Sequence, residues 1–155
     1  MKLYLVRHAQ AKSKQEDPER SLSEQGLSEI NKVASFLSAQ SMIQVSHVFH
    51  SGKNRARQTA EVLSEHLTFA DNIKKESSLE PLENPGKWAN RLVDEKENIM
   101  LVGHLPHLNK LCALLLSGDE EHKIVDLPGA GIICLQRDDS NSWIIHWMVT
   151  PEIAP

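Results

Sequence analysis

Short, mostly apolar runs, two of them wholly apolar (3–6 and 99–102), alternate along this chain with longer segments in which apolar residues recur every three or four positions. The short runs are typical of strands buried on both faces of a sheet, and the recurring pattern is typical of amphipathic helices. The sequence predicts strands over 3–6, 45–50, 99–102, 131–135 and 143–149. It predicts helices that run to about Gln40, through Leu67, through Leu92, and from Pro106 to Gly118.

Polar residues mark the points at which these helices are expected to begin. Ser21 and Glu24 have the spacing of a capping box, and Ser23 is a competing cap for the same helix. In the turn 51–54, a serine or an asparagine is available to cap the second helix. Asn84, followed by a proline, predicts a cap and a first-turn proline for the third helix.

The order of these elements predicts the fold class. Strands that alternate with helices indicate an α/β fold with a mixed, mostly parallel sheet. The charged turn 137–141 joins the last two strands as a hairpin, so the sheet is expected to be antiparallel near one edge. The chain contains no linker, repeat or low-complexity tract, and residues 1–155 are therefore expected to form a single domain.

Composition excludes several classes of protein. With 155 residues, 40% of them apolar and 25% charged, the chain has the balance of a globular protein. Its formal charge of −4 at pH 7 argues against general nucleic-acid binding. The opening apolar run 3–6 is far too short for a signal peptide or a membrane span, so we expect a cytoplasmic protein without membrane contact. Two cysteines are too few for a disulfide framework.

Two of the predicted strands lead directly into a histidine. His8 follows the first strand, after Arg7, and His104 follows the third strand, after a glycine. If those strands are parallel neighbours, both imidazoles emerge at the edge of the sheet where α/β proteins bind ligands. Arg55, near the start of the second helix, can project over the same edge and form an anion pocket with Arg7. Either histidine taken alone would more often have a structural role, and the pair, one of them preceded by an arginine, is equally consistent with a structural role and with a site.

Three segments resemble the motifs of the histidine phosphatase superfamily, in the same order along the chain. They are Arg7-His8-Ala9 after the first strand, the run 51–59 (SGKNRARQT), and Val102-Gly103-His104. Within the superfamily, the short chain and the segment 20–26 (RSLSEQG) are most similar to the SixA-type phosphohistidine phosphatases. The resemblance implies a three-layer α/β/α fold like that of the phosphoglycerate mutases.

The resemblance also implies a role for each of these residues. His8 would be the nucleophile and become transiently phosphorylated, Arg7 and Arg55 would bind the phosphoryl oxygens, and His104 would complete the pocket. No cofactor and no metal is implied, because the arginines and the histidine would supply the positive charge. His104 and His107 are three residues apart, but no third ligand stands at metal-binding spacing. The second ring nitrogen of His8 should donate to a backbone carbonyl or another acceptor, which fixes the tautomer.

Two features depart from the common pattern of the superfamily. Ala9 stands where glycine is common, which is tolerable if its φ is negative. Where ester-cleaving relatives place an acidic proton donor, this chain has Pro81 flanked by Glu80 and Glu83. Either glutamate could be the acid or a solvated loop side chain, and a phosphoramidate nitrogen needs less help from an acid than an alkoxide does. Arg20 could contact the phosphoryl group or an acidic partner, or be an exposed loop residue.

These observations lead to three hypotheses about function. The first is a phosphohistidine phosphatase that acts on a phosphoprotein, such as a histidine phosphotransfer domain or a phosphocarrier, because no long insertion roofs the site. The second is a small-molecule phosphate-ester phosphatase with Glu80 or Glu83 as its acid, and the third is a phosphate-binding module without catalysis. For the first hypothesis, an acidic partner would meet a rim of basic residues, Lys12, Lys14, Arg20, Lys53 and Arg57.

Overall fold

The computed structural model describes residues 1–69 and 72–155, which form a sheet of six strands flanked by helices. The strands are β1 (Lys2–Arg7), β2 (His47–His50), β3 (Ile73–Lys75), β4 (Ile99–Gly103), β5 (Ile132–Arg137) and β6 (Trp143–Val149). The helices are α1 (Glu24–Ala39), α2 (Asn54–His66), α3 (Gly86–Leu92) and α4 (His107–Ser117), and a 3-10 turn covers Ser77–Leu79. Within the described residues, none of the helices has the length and apolar character needed to cross a membrane.

The strands lie in the order β3-β2-β4-β1-β5-β6. β1 pairs in parallel with β4, with Arg7 opposite Gly103, and β2 lies parallel to both β4 and β3. β5 runs antiparallel to β1 and forms an antiparallel hairpin with β6. The sheet is therefore mixed and mostly parallel, with antiparallel strands at one edge, as the sequence predicts.

Alternation along β1 sends its side chains into two separate cores. Tyr4 and Val6 belong to the core formed with α1 and α2, while Leu3 and Leu5 belong to the core formed with α3 and α4. All four side chains are fully buried, which explains why β1 is an uninterrupted apolar run in the sequence. The two helical layers, one on each face of the sheet, confirm the three-layer α/β/α architecture.

The helix starts differ in part from the predictions. The second candidate, Ser23, caps α1, because its hydroxyl accepts a hydrogen bond from the Gly26 N–H at 3.0 Å. The predicted cap of α2 is wrong, since the N-cap residue is Lys53 and no side chain caps the helix. α3 begins at Gly86, one residue after the predicted first-turn proline, although the Asn84 side chain does accept from the Gly86 N–H at 2.8 Å.

Neither β3 nor the 3-10 turn is predicted from the sequence pattern. β3 has three residues, two of which are exposed lysines, and it lies at the edge of the sheet beside β2. An edge strand of this length has too few positions to show an apolar alternation. Its pairing with β2 is a consequence of the surrounding fold rather than of its own composition.

Candidate active site

The carboxyl ends of β1 and β4 bring the two candidate histidines together. The His8 N–H donates to the Gly103 carbonyl at 3.0 Å, which continues the β1–β4 pairing beyond β1. The imidazole centroids of His8 and His104 lie 4.9 Å apart, with an angle of 53° between the ring planes. The prediction that both rings emerge at one edge of a parallel pair of strands is therefore confirmed.

The hydrogen bonds of His8 define its tautomer. Its Nδ1 lies 2.7 Å from the Ala9 carbonyl oxygen, and its Nε2 lies 3.3 Å from the Nε of Arg55, which can only donate. Nδ1 therefore carries the proton, and Nε2 presents its lone pair, as a nucleophile requires. Ala9 does not adopt a positive φ, so its methyl group is accommodated without backbone strain.

The environment of His8 keeps its ring uncharged. Burial is the main reason that the pKa of His8 falls from 6.5 to about 4, and the charges of Arg55, Arg7 and Arg20 act in the same direction. The hydrogen bond to the Ala9 carbonyl opposes this shift. At neutral pH the ring can therefore attack an electrophile without first losing a proton.

A fully buried threonine connects the strand of His8 to the helix that carries Arg55. The Thr59 hydroxyl accepts a hydrogen bond from the Ala9 N–H at 3.0 Å and donates to the Arg55 carbonyl at 2.7 Å. It fixes the peptide that follows His8 relative to the first turn of α2, from which Arg55 reaches the imidazole. The sequence pattern does not distinguish this threonine from an ordinary buried helix residue, so sequence reasoning misses it.

His104 is held by Ser51, the residue that follows β2. Ser51 Oγ lies 2.6 Å from His104 Nε2, and both side chains are buried. Burial lowers the pKa of His104 to about 2, with smaller contributions from His8 and Arg55. His104 is therefore neutral, and the positive charge of the pocket comes from the arginines rather than from this histidine, contrary to the expectation from sequence. Ser51, expected only as a possible helix cap, holds His104 instead.

Arg7 is positioned by the loop that precedes β5. Its Nη1 donates to the Leu127 carbonyl at 3.0 Å, across a separation of 120 positions in the chain. This bond orients the guanidinium at the end of β1, beside the His8 ring. A guanidinium held in this way suits the paired oxygens of a phosphoryl group. Leu127 has no polar side chain, so the sequence offers no sign of this contact.

Of the two further arginines considered from sequence, Arg20 lies near the pocket and Arg57 is engaged on the surface. Arg20 has a left-handed φ of 50°, and its Nε donates to the Lys12 carbonyl at 3.0 Å. Its charge contributes to the lowered pKa values of both His8 and Arg55, which places it within electrostatic reach of the pocket. Arg57 forms an ion pair with a glutamate one turn along the exposed face of α2.

Both candidate acids contact lysines. Glu80 Oε2 lies 3.9 Å from the Nζ of Lys53, the residue before α2. Glu83 forms an ion pair with Lys87, and this hydrogen bond is the main cause of the lowered pKa of its carboxyl group. Among the described residues, no hydrogen bond or ion pair joins either glutamate to His8. Both carboxylates are therefore paired with lysines, and neither is hydrogen-bonded to the nucleophile in the described part of the chain.

His107, the first residue of α4, lies three positions after His104. His107 is buried, and burial lowers its pKa to about 4. In residues 1–69 and 72–155, no group of three or more His, Cys, Asp or Glu side chains could hold a metal ion.

Comparison of sequences identifies the family. The family model of the histidine phosphatase superfamily (branch 1) matches residues 3–98, which is more than half of the chain. The matched segment includes Arg7, His8 and Arg55, while His104 lies beyond it. No matching sequence was found among curated proteins.

Solved structures share the fold over nearly the whole chain. The protein histidine phosphatase SixA complexed with tungstate is 24% identical, with a TM-score of 0.84 over 97% of each chain. The SixA protein of Agrobacterium tumefaciens is 24% identical, with a TM-score of 0.78 over 97% of each chain. A phosphoserine phosphatase mutant of Entamoeba histolytica, in complex with phosphoserine, is 15% identical, with a TM-score of 0.72 over 97% of this chain and 98% of that one.

At these identities the structural likeness supports the fold and leaves the substrate open. The match to the family model covers the strand and the helix that carry three of the four pocket residues. This chain belongs to branch 1 of the histidine phosphatase superfamily.

Proposed function

We propose that this phosphatase removes phosphate from phosphohistidine on a signalling or phosphocarrier protein. His8 Nε2 attacks the phosphorus while the P–N bond to the substrate breaks, and the electron pair of that bond stays on the substrate nitrogen. Arg7 and Arg55 bind the phosphoryl oxygens, and His104, held by Ser51, completes the pocket. Water then hydrolyses the phosphorylated His8 and releases inorganic phosphate, with no metal taking part.

The state of the two candidate acids carries this proposal. The pKa of Glu83 is lowered by its hydrogen bond to Lys87, and Glu80 is directed at Lys53. An alkoxide is a poor leaving group and needs a proton, whereas the ring nitrogen of a phosphohistidine leaves far more readily. A pocket with a neutral nucleophile, near which both candidate acids are paired with lysines, therefore suits a phosphoramidate better than an alkyl ester.

The hydrogen bond from His8 to Ala9 supports the same chemistry. Once Nε2 has taken the phosphoryl group, the ring carries a positive charge, because Nδ1 keeps its proton. The Ala9 carbonyl, 2.7 Å from Nδ1, then accepts a charge-assisted hydrogen bond, which is stronger than the neutral one. The free enzyme is thus already arranged to stabilise the phosphorylated ring.

A protein substrate is supported by the charges around the pocket. Lys53 and Arg20 both belong to the basic rim expected from sequence, and their charges contribute to the lowered pKa values of His104 and His8, respectively. Positive charges beside a pocket attract an acidic partner surface and speed its association. A histidine phosphotransfer domain or a phosphocarrier in the cytoplasm remains our prediction for that partner.

The proposal is tested by measuring phosphate release from a phosphohistidine protein and from an alkyl phosphate side by side. We expect the wild type to prefer the phosphohistidine protein strongly, and His8→Ala to lose this activity. His146→Ala, which removes an exposed histidine on β6, is the matched control and should keep it. Preference for the alkyl ester would favour the small-molecule phosphatase, with Glu80 as the acid to test. Phosphate binding without release would favour the non-catalytic module.

A further inference from the structure

A cleft of about 310 Å³ opens beside the nucleophile. Arg7 and His8 form part of its lining, and four polar side chains line it further, Gln10, Gln25, Glu29 and Glu152. Two of these belong to α1, and Glu152 belongs to the turn after β6. The cleft is therefore continuous with the proposed phosphoryl site but is built from residues that the mechanism above does not use.

One carboxylate of the cleft is held by a neighbouring side chain, and the turn that carries the other is fixed to α1. Glu29 Oε1 accepts a hydrogen bond from Gln25 Nε2 at 2.9 Å. The turn that carries Glu152 is tied to α1 by Lys32, whose Nζ donates to the Pro151 carbonyl at 2.9 Å. The cleft thus has arginine charge where the phosphoryl group would bind and carboxylate charge along its lining. Such an arrangement attracts a leaving group that is positively charged and repels one that is negatively charged.

We infer that this cleft binds the leaving group and selects a protonated nitrogen heterocycle, with Glu29 and Glu152 as the residues that determine specificity. This inference rests on the proposed function, because it concerns the group that departs from the same phosphoryl site. In such a substrate, one ring nitrogen carries the phosphoryl group and the other carries a proton. The two carboxylates favour this cationic form of the bound ring and accept from its N–H.

The protonation state of the ring removes the need for an acid. His8 Nε2 forms its bond to phosphorus, and the electron pair of the breaking P–N bond returns to the substrate ring. That ring departs as neutral imidazole, with its proton still on the distal nitrogen. His8 becomes the cationic ring, and the Ala9 carbonyl accepts from its Nδ1–H. Each imidazole in the transfer therefore has an acceptor for its distal N–H, and no proton has to move.

The experiment compares kcat/KM for phosphoimidazole and for phenyl phosphate in the wild type and in the double variant Glu29→Gln/Glu152→Gln. Phosphoimidazole has no flanking residues, so it reports on the leaving ring itself rather than on a basic neighbour in a protein substrate. One unit-charge attraction in a solvated site is worth a factor of about five, so the loss of two carboxylates should lower kcat/KM for phosphoimidazole by roughly 25-fold. Hydrolysis of phenyl phosphate should rise, because the departing phenolate no longer meets two negative charges.

Glu24→Gln is the matched control, since it removes an exposed carboxylate from the first turn of α1 outside the cleft. It should leave both rates unchanged. The inference is overturned if the ratio of kcat/KM for phosphoimidazole to kcat/KM for phenyl phosphate is unchanged in the double variant, which includes an equal loss on both substrates. A larger loss on phenyl phosphate assigns the glutamates to proton donation and overturns it as well. A different result would contradict the proposed function itself: a wild-type protein that hydrolyses phenyl phosphate in preference to phosphoimidazole.

Discussion

Within residues 1–69 and 72–155, only the side chain of Thr59 forms hydrogen bonds both with the peptide after His8 and with the helix turn that carries Arg55. Thr59→Val replaces this hydroxyl with a methyl group of nearly the same size. The Arg55 carbonyl keeps its place in the α2 hydrogen-bond ladder, so the main loss falls on the Ala9 N–H. Ala9 is fully buried, and its N–H would then lack a partner.

The cost of this change can be worked out from the contacts. A buried donor left without an acceptor costs about 1–3 kcal/mol in the free energy of unfolding. For a chain of this size, that lowers Tm by roughly 2–4 °C per kcal/mol. Because the freed peptide is the one that carries His8, we also expect kcat to fall by roughly tenfold, since small misplacements of a reacting group are costly.

Thr59→Ser separates the hydroxyl from the methyl group. Serine keeps both hydrogen bonds and loses one buried methyl group, at a cost of about 1 kcal/mol, so its kcat should stay close to that of the wild type. The assays are thermal or urea unfolding and steady-state phosphate release on the same preparations. The Thr59 hydroxyl does not have this role if Thr59→Val matches the wild type in both assays, or if Thr59→Ser loses as much activity as Thr59→Val.

Three further predictions concern pH, packing and the basic rim. Burial lowers the pKa values of His8 and His104, so below pH 6.5 the unfolded chain binds more protons than the folded chain. The two neutral rings therefore contribute to the stability of the folded protein above pH 6.5, and this contribution is lost as the pH falls. Between pH 6.5 and about 4, His8 alone should lower the free energy of unfolding by about 3 kcal/mol. In urea unfolding, the free energy of unfolding of His8→Asn should therefore depend less steeply on pH than that of the wild type. Gly26→Ala places a Cβ 2.1 Å from the Gln10 carbonyl oxygen, so the start of α1 must shift and unfolding should become easier by about 1–3 kcal/mol. Lys53→Glu should raise the KM for a phosphoprotein several-fold with little change in kcat on phosphoimidazole, because the charge beside the pocket guides association.

Each of these predictions has a contrary result. A free energy of unfolding that is flat between pH 6.5 and 4 would show that the histidines are not held neutral by the fold. A Gly26→Ala variant as stable as the wild type would mean that α1 can move away from Gln10 at no cost. An unchanged KM in Lys53→Glu would remove this lysine from the partner surface, and Lys96→Glu, at an exposed position before β4 and outside the rim, is the comparison for general charge effects.

The edge of the sheet that carries the site could be predicted because its signals are local. The runs 3–6 and 99–102 are apolar on both faces, which is how a central parallel strand is recognised, and each leads into a histidine. Parallel pairing of these strands then leaves one arrangement for His8 and His104, at the same edge of the sheet. The tautomer of His8 could also be anticipated, because a nucleophilic imidazole needs an acceptor for its other nitrogen.

The residues that hold the pocket in shape could not be predicted, because their roles depend on contacts between distant parts of the chain. Ser51 meets His104 across 53 positions, and Thr59 meets Ala9 across 50. In the sequence, Ser51 is a small polar residue before a helix, where capping is the usual interpretation, and Thr59 is an ordinary residue inside that helix. The cleft beside His8 was equally hidden, since it joins α1 to the turn after β6.

The proposed mechanism requires that His8 itself carries the phosphoryl group during turnover. A rapid-quench experiment tests it most directly, with a radiolabelled phosphohistidine protein as substrate and the label followed onto the phosphatase. We predict a transient, acid-labile and base-stable label on His8 that decays as inorganic phosphate appears, and no label in His8→Ala. Full-rate phosphate release without any label on the phosphatase, or undiminished release by His8→Ala, would contradict the account.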